Sequence, residues 1–133
     1  MPELVKLALI ALVVLFLKHM LADFFFQTRY QHQNKGIYGH PGGLLHAGIH
    51  TVMSLPVFVV LPVDYGLMQL IMIGEFLVHY HIDWIKERVV KGAGWTTTTN
   101  QFWQAMGVDQ FLHGLTYILI VAVLVRGQPL ISA

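Results

Sequence analysis

The stretch LVKLALIALVVLFLKHMLADFFF covers Leu4 to Phe26 and contains few polar side chains. At ~1.5 Å per helical residue, such a run is long enough to cross a hydrocarbon core of ~30 Å. A cleaved signal peptide is the alternative interpretation, but the run is too long for one, and no small-residue cleavage site precedes Asp23. The sequence therefore predicts a retained transmembrane helix over residues 4–26.

The composition of the whole chain agrees with a membrane protein. Of 133 residues, 56% are hydrophobic and 11% are charged, whereas soluble domains have about 45–50% apolar and about 25% charged residues. The formal charge of +1 does not provide the basic surface that nucleic-acid-binding proteins use to neutralise phosphates. We therefore predict a single transmembrane domain over residues 1–133, with no soluble catalytic domain and no nucleic-acid partner.

Three further apolar segments complete the predicted fold. They cover residues 43–61, where Pro56 is expected to kink the helix, residues 67–90 and residues 101–125. The connections between them are polar or rich in Gly and Thr, which is typical of turns. The sequence thus predicts an all-α, integral-membrane four-helix bundle with helices over about 4–26, 43–61, 67–90 and 101–125.

Basic residues near the ends of the predicted helices indicate the orientation, since Lys and Arg are retained preferentially in cytoplasmic loops. The first and third connections lie on one side of the membrane, together with Lys18, Arg29, Lys35, Lys86, Arg88 and Lys91. The opposite side has only Lys6 and Arg126. We therefore predict a multi-pass protein of the inner, cytoplasmic membrane with both termini outside.

Each predicted helix carries one pair of ionisable residues four positions apart, which places both side chains on one face. Each pair lies ~5–18 Å from the same predicted side, although the chain reverses direction at every loop. An antiparallel bundle would bring them into one layer around an internal cavity in the cytoplasmic half. The pairs are His19 and Asp23, His46 and His50, His79 and Asp83, and Asp109 and His113.

The expected layer favours a metal site over a purely polar core. A carboxylate at the bilayer centre costs ~2.5–3.5 kcal/mol even on the lenient insertion scale, and a divalent cation would neutralise carboxylates while using neutral imidazoles as ligands. The His/Asp set suits zinc, and also iron or manganese, and the absence of cysteine excludes a thiolate site. We predict one or two ions, held by His19, Asp23, His46, His50, His79, Asp83, Asp109 and His113.

Two acidic residues are candidates for proton transfer at this site. Glu75 lies one turn from His79 on the same face and is interpreted either as a further ligand or as a general base. Asp109 would serve as the base if it does not bind the metal. Because bound metal ions lower the pKa of water, these residues predict a zinc-type hydrolase that acts on a lipid-linked or membrane-partitioned phosphoester.

Other functions are compatible with the same pattern. An intramembrane His/Asp layer is also typical of a proton relay or a divalent-cation transporter, and two facing histidines can hold a b-type haem. In a non-catalytic membrane scaffold, the polar layer would instead fix the register of the helices. Membrane lipids are the expected partners in each case, and the sequence is also compatible with a homo-oligomer.

The four motifs also resemble a family of short bacterial and phage integral-membrane proteins that is classified only as a domain of unknown function. This resemblance implies a four-helix membrane architecture and the grouping of the motifs, without an activity. A weaker similarity, HxxxD on helices, links the chain to predicted membrane-bound metal-dependent hydrolases and implies His and Asp ligands for a metal. The family similarity rests on HMLADFFFQT at His19–Thr28, HAGIH at His46–His50, HYHID at His79–Asp83 and DQFLH at Asp109–His113.

Overall fold

The computed structural model describes residues 2–128, and all regular elements in this range are helical. The prediction of an all-α protein is therefore confirmed. The first long helix, α1, continues directly into a π-helical turn at Ala22–Phe26. The helices are α1 at Glu3–Leu21, α2 at Arg29–Asn34, α3 at Pro41–Val52, α4 at Val57–Val60, α5 at Tyr65–Gly92 and α6 at Asn100–Arg126.

Three helical segments are long and apolar enough to span a membrane, namely Glu3–Phe26, Pro41–Val60 and Asn100–Arg126. They indicate a membrane protein and coincide with the first, second and fourth predicted spans. The third predicted span corresponds to α5, which is 28 residues long but is not among these segments. The ionisable site residues on α5 lower its mean hydropathy, although the helix is long enough to cross a bilayer.

The second span is interrupted, whereas the sequence predicted a kinked but continuous helix. α3 ends at Val52, a turn follows at residues 53–56, and α4 begins at Val57. Within the turn, the Ser54 amide donates to the Thr51 carbonyl at 3.1 Å, and Pro56 has no amide hydrogen to donate. The carbonyl of His50 is consequently free of its helical partner and available to other donors.

The long segments pack in a closed order. α1 contacts α6, α6 contacts α5, α5 contacts α3, and the π-helical turn returns to α3, while α1 also contacts α4. One end of this arrangement is filled by an apolar core, and the buried ionisable residues fill the other. The core consists of Ala11, Leu15, Val57, Leu61, Ile71, Tyr117, Ile120, Val121 and Leu124.

The polar connection after the first span contains a helix that the sequence interpretation treated as a turn. Thr28 begins α2 with a capping box: its hydroxyl accepts from the Gln31 amide at 3.3 Å, and Gln31 Oε1 accepts from the Thr28 amide at 3.2 Å. Gln31 and Lys35 are buried beneath this short helix. The loop therefore folds over the polar end of the bundle and carries a lysine into it.

Candidate metal centre

The eight residues of the four predicted pairs lie together at the polar end of the bundle. All are buried except Asp23, which is half-buried. Seven pairs of their imidazole rings have centroids between 3.9 and 5.9 Å apart. Because these rings come from α1, α3, α5 and α6, the separate helices share one centre, as the spacing predicted.

The Asp23 carboxylate contacts histidines from two helices. Its Oδ2 lies 3.1 Å from His19 Nε2, while its Oδ1 lies 3.1 Å from His50 Nε2 and 3.3 Å from His46 Nε2. Asp23 belongs to the π-helical turn, a geometry that recurs at functional sites because it redirects side chains. One carboxylate on the first span thus contacts two histidines of α3.

The Asp83 carboxylate on α5 contacts histidines from three helices. Its Oδ2 lies 3.0 Å from His46 Nε2 and 3.5 Å from His79 Nε2, and its Oδ1 lies 3.5 Å from His113 Nε2. Lys35 Nζ is also 3.5 Å from Oδ2. Asp83 therefore joins histidines of α3, α5 and α6 and is itself paired with a buried ammonium group.

Several buried ring nitrogens at this centre have no hydrogen-bond partner. They include both nitrogens of His79 and of His46, together with His50 Nδ1 and His113 Nε2. The close approach of His46 Nε2 to Asp83 lacks hydrogen-bonding geometry. An unsatisfied buried polar atom costs about 1–3 kcal/mol, so a ligand that binds several lone pairs at once would explain this concentration.

The positions of the donor atoms fit a metal ion. In each of four groups of three residues, one ligand atom per residue lies within 4.8 Å of the other two. His79 belongs to two of these groups, one with His19 and His113 and the other with His46 and His50. The buried His/Asp groups are therefore geometrically able to hold an ion. The groups are His19, His79 and His113; His46, His50 and His79; His19, Asp23 and His50; and Asp83, Asp109 and His113.

Glu75 lies in a separate buried network. Its Oε1 accepts hydrogen bonds from Lys18 Nζ at 2.6 Å and from Ser54 Oγ at 2.8 Å, and it belongs to none of the four ligand groups found within residues 2–128. Lys18 also donates to the freed His50 carbonyl at 3.1 Å. The break after α3 thus helps to hold an ion pair directly beside the histidines.

Sequence reasoning missed the role of two lysines. Lys18 and Lys35 were interpreted as charges that mark the cytoplasmic side, with Lys35 also able to attract lipid phosphate there, yet both are buried, at 4% and 5% exposure. A signal for Lys18 was present, because it interrupts an apolar run next to His19, and intramembrane charges are usually paired. Nothing in the loop sequence indicated that Lys35 would reach Asp83.

Two polar residues of α6 orient His19. Tyr117 Oη lies 2.8 Å from His19 Nδ1, and Gln110 Oε1 lies 3.2 Å from His19 Nε2. Gln110 Nε2 also donates to Asp109 Oδ2 at 3.1 Å. The remaining oxygen, Asp109 Oδ1, is buried without a hydrogen-bond partner, so this carboxylate retains an acceptor at the edge of the cluster.

The other three histidines lie outside the cluster. His40 begins α3, where its Nδ1 accepts from the Gly42 amide at 3.0 Å, and His81 lies on the surface beside Tyr38. His32 lines a cavity of about 530 Å³ next to the cluster, together with Asp23, Asp109 and the loop residues. Partial burial lowers the pKa of the His32 imidazole, and Glu87 partly opposes this effect.

Fold and site together define an all-helical protein with three helical segments long and apolar enough to span a membrane and with buried His/Asp groups that are geometrically able to hold a metal ion. The chain belongs to the family described as "Protein of unknown function (DUF3307)", whose profile matches residues 11–132. The matched range contains all eight predicted ligands. No curated protein and no solved structure matches the chain.

Proposed function

We propose that this protein is a membrane-embedded, metal-dependent hydrolase that acts on a lipid-linked or membrane-partitioned phosphoester. Five buried imidazoles, four of which have unpartnered ring nitrogens, are gathered around Asp23, Asp83 and Asp109 and carry this proposal. Imidazole and carboxylate without thiolate suit zinc first, and also iron or manganese. The imidazoles are those of His19, His46, His50, His79 and His113.

The charge balance of the buried groups supports one divalent cation. Five carboxylates lie at the polar end, and three lysine ammonium groups lie against them. With neutral imidazoles, two negative charges remain, and uncompensated charge is costly in a low-dielectric interior. One divalent cation would neutralise this excess, whereas a second would exceed it. The carboxylates are those of Asp23, Glu75, Asp83, Glu87 and Asp109, and the lysines are Lys18, Lys35 and Lys86.

Within this proposal, each group of the chain has a defined task. A bound divalent cation supplies Lewis acidity, which lowers the pKa of water toward ~7 and polarises a phosphoryl oxygen. Asp109 is the proton acceptor, because its Oδ1 is unpartnered and the residue lines the cavity. Glu75 also has an unpartnered oxygen, Oε2, but it lines neither of the cavities that Asp109 lines, and its Oε1 already accepts from Lys18 and Ser54.

We propose that α5 also spans the membrane, as the third span in chain order, and completes a four-helix membrane bundle. Its 28 residues extend over ~42 Å at ~1.5 Å per residue, and the helix packs against both α3 and α6. Its ionisable residues Glu75, His79 and Asp83 are buried, while its exposed positions include Leu70 and Ile73. The apolar outer face would contact lipid, with the site in the cytoplasmic half and both termini outside.

The packing of the bundle favours hydrolysis over transport and over haem binding. The apolar core provides no polar path from the histidines to the opposite end within residues 2–128, and a transporter would require one. Haem is disfavoured because the His79 ring packs 3.9 Å from His50 and 4.2 Å from His113. These spacings leave no room for a macrocycle between the rings.

Metal analysis of two matched variants tests the proposed centre. His79 and His81 lie on the same helix, but only His79 is in the cluster. We expect about one zinc-type ion per wild-type chain after supplementation. His79→Gln should lower metal affinity by at least ~10-fold, the usual effect of disturbing a metal site, and His81→Gln should leave it unchanged. Metal-free wild-type protein, or equal affinity in both variants, would contradict the proposal.

A further inference from the structure

Two cavities of different character adjoin at the edge of the metal centre. The charged cavity has a volume of about 530 Å³ and lies under the loops, whereas the apolar groove has a volume of about 370 Å³ and lies between α5 and α6. Both are within the ~300–1,000 Å³ that is typical of small-molecule sites. They share three lining residues, Lys86, Trp95 and Asp109.

The apolar groove opens on the outer surface of the bundle. Ile85, Val89 and Val108 line it and are exposed there, so in a bilayer they would face hydrocarbon chains. Lys86 and Asp109 stand at the end of the groove that continues into the charged cavity. A molecule with an apolar chain and a polar head could therefore occupy both without leaving the membrane.

The charged cavity becomes cationic when the proposed ion is present. Three lysines, Lys35, Lys86 and Lys91, and three carboxylates, Asp23, Glu87 and Asp109, line it. Their charges cancel within the lining. Across the whole polar end, one divalent cation would neutralise the buried groups, and the exposed Lys91 ammonium group, 3.6 Å from Glu87, would add one positive charge. A phosphate monoester carries about −1.5 to −2 near pH 7. The positive excess would attract such an anion, whereas it would not favour a neutral or zwitterionic headgroup.

We infer that the substrate is a lipid with a terminal phosphate, whose headgroup lies beside Lys35 and Lys86 and whose hydrocarbon chain lies in the groove between α5 and α6. The inference rests on the proposed function and narrows its substrate class. Lateral entry along the groove places the phosphate next to Asp109, the proposed proton acceptor. Hydrolysis of the ester would add water across the P–O bond and release inorganic phosphate and the lipid alcohol.

Binding of defined probes to zinc-loaded, full-length protein in micelles tests this inference. The probes are pyrene-labelled phosphatidate, diacylglycerol with the same labelled chain, and inorganic phosphate as a competitor. We expect phosphatidate to bind at least ~10-fold more tightly than either of the others, because only phosphatidate uses a charge-assisted hydrogen bond and apolar burial together. Inorganic phosphate that binds as tightly as phosphatidate would indicate a soluble ligand and overturn the inference.

Two variants, each with a matched control, test which residues bind the phosphate of the probe and which bind its hydrocarbon chain. Lys86→Gln should weaken phosphatidate binding by ~10-fold, as expected for one charge-assisted hydrogen bond, while Arg88→Gln, on the exposed face of the same helix, should not. Val108→Trp should fill the groove and weaken binding similarly. Ile73→Trp, at a residue with the same 59% exposure on the α3–α5 side, should have no effect.

Metal content measured on the same samples separates the two proposals. Metal-loaded protein without a preference for phosphatidate, or with equal binding in each variant and its control, would overturn the lipid inference and leave the metal centre standing. Wild-type protein that takes up no metal would overturn both, since the cavity would then lack its positive charge.

Discussion

His79 is the residue on which the site is built. It lies at 2% exposure, neither of its ring nitrogens has a partner, and it belongs to two of the four ligand groups. Its ring contacts those of His50 and His113 on either side. A buried histidine in a purely structural core would normally donate or accept at least one hydrogen bond, so its environment favours a bound cation.

Asp109 differs from the other two carboxylates of the site. Asp23 and Asp83 each contact three histidines, whereas Asp109 contacts one histidine, His113, at 3.8 Å, and lines both cavities. This position gives it access to a substrate while the other two hold the histidines in place. Because Asp109 also belongs to the ligand group with Asp83 and His113, its proposed role in proton transfer has to be tested separately from metal binding.

Asp109→Asn should abolish most phosphate release from phosphatidate vesicles while the protein keeps its metal. We expect a loss of ~10²-fold or more, the usual contribution of a general base, because the amide cannot accept a proton. Phosphate release and metal content are measured on the same preparation. Full activity of this variant would rule out Asp109 as the base, and loss of the metal would reassign it as a ligand.

At the scale of elements, the interruption between α3 and α4 has a specific consequence. It frees the His50 carbonyl, which then accepts from Lys18 on α1, and Lys18 in turn pairs with Glu75 on α5. One buried ammonium group thus joins three helical segments beside the histidines. A continuous helix would have used the same carbonyl for its own backbone hydrogen bond.

The Lys18–Glu75 pair should be strongly coupled in stability. The side chains are 4% and 1% exposed, so Lys18→Met would leave an unpaired buried carboxylate and lower the free energy of unfolding by about 3–5 kcal/mol. The double variant Lys18→Met with Glu75→Gln should recover most of this loss. Unfolding in mixed micelles provides the measurement, and additive effects of the two substitutions would show that the pair is not coupled.

Some features of the helices could be predicted from the sequence and others could not, because only some of them depend on local signals. The length of each apolar run and the four-residue spacing of each pair are local properties of a helix, and both are visible in the chain. The capping box of α2, Thr28 with Gln31, is also a local signal and was readable, although the interpretation passed over it. The end of α3 near Pro56 was harder, because a proline can kink a membrane helix or end it, depending on neighbouring contacts.

At the scale of the whole molecule, close packing stabilises the apolar end of the bundle, whereas uncompensated charge destabilises the polar end. The apolar end is held by close packing of α1, α4 and α6, while the polar end combines carboxylates, lysines and imidazoles with an excess of two negative charges. Without a cation, that excess opposes assembly of the helices. The metal would therefore stabilise the folded bundle as well as provide the proposed chemistry.

Zinc should raise the melting temperature of metal-depleted protein in a concentration-dependent manner. A ligand that binds only the folded state adds about 2.7 kcal/mol at one hundred times its dissociation constant. Magnesium at the same concentration should have little effect, because it prefers oxygen ligands, and five imidazoles surround this centre. Identical melting curves with and without zinc, or an equal shift with magnesium, would argue against a His-rich metal site.

The sequence by itself determined that the chain is helical, that it has segments able to span a membrane, and that four pairs of ionisable residues recur at helical spacing. These properties depend on neighbours within one or two turns. Tertiary structure decided that the pairs converge, that Lys18 and Lys35 reach the carboxylates, and that an apolar groove adjoins the charged cavity. Such contacts join residues up to 98 positions apart, as between His19 and Tyr117, and they depend on how the helices pack, which local periodicity does not encode.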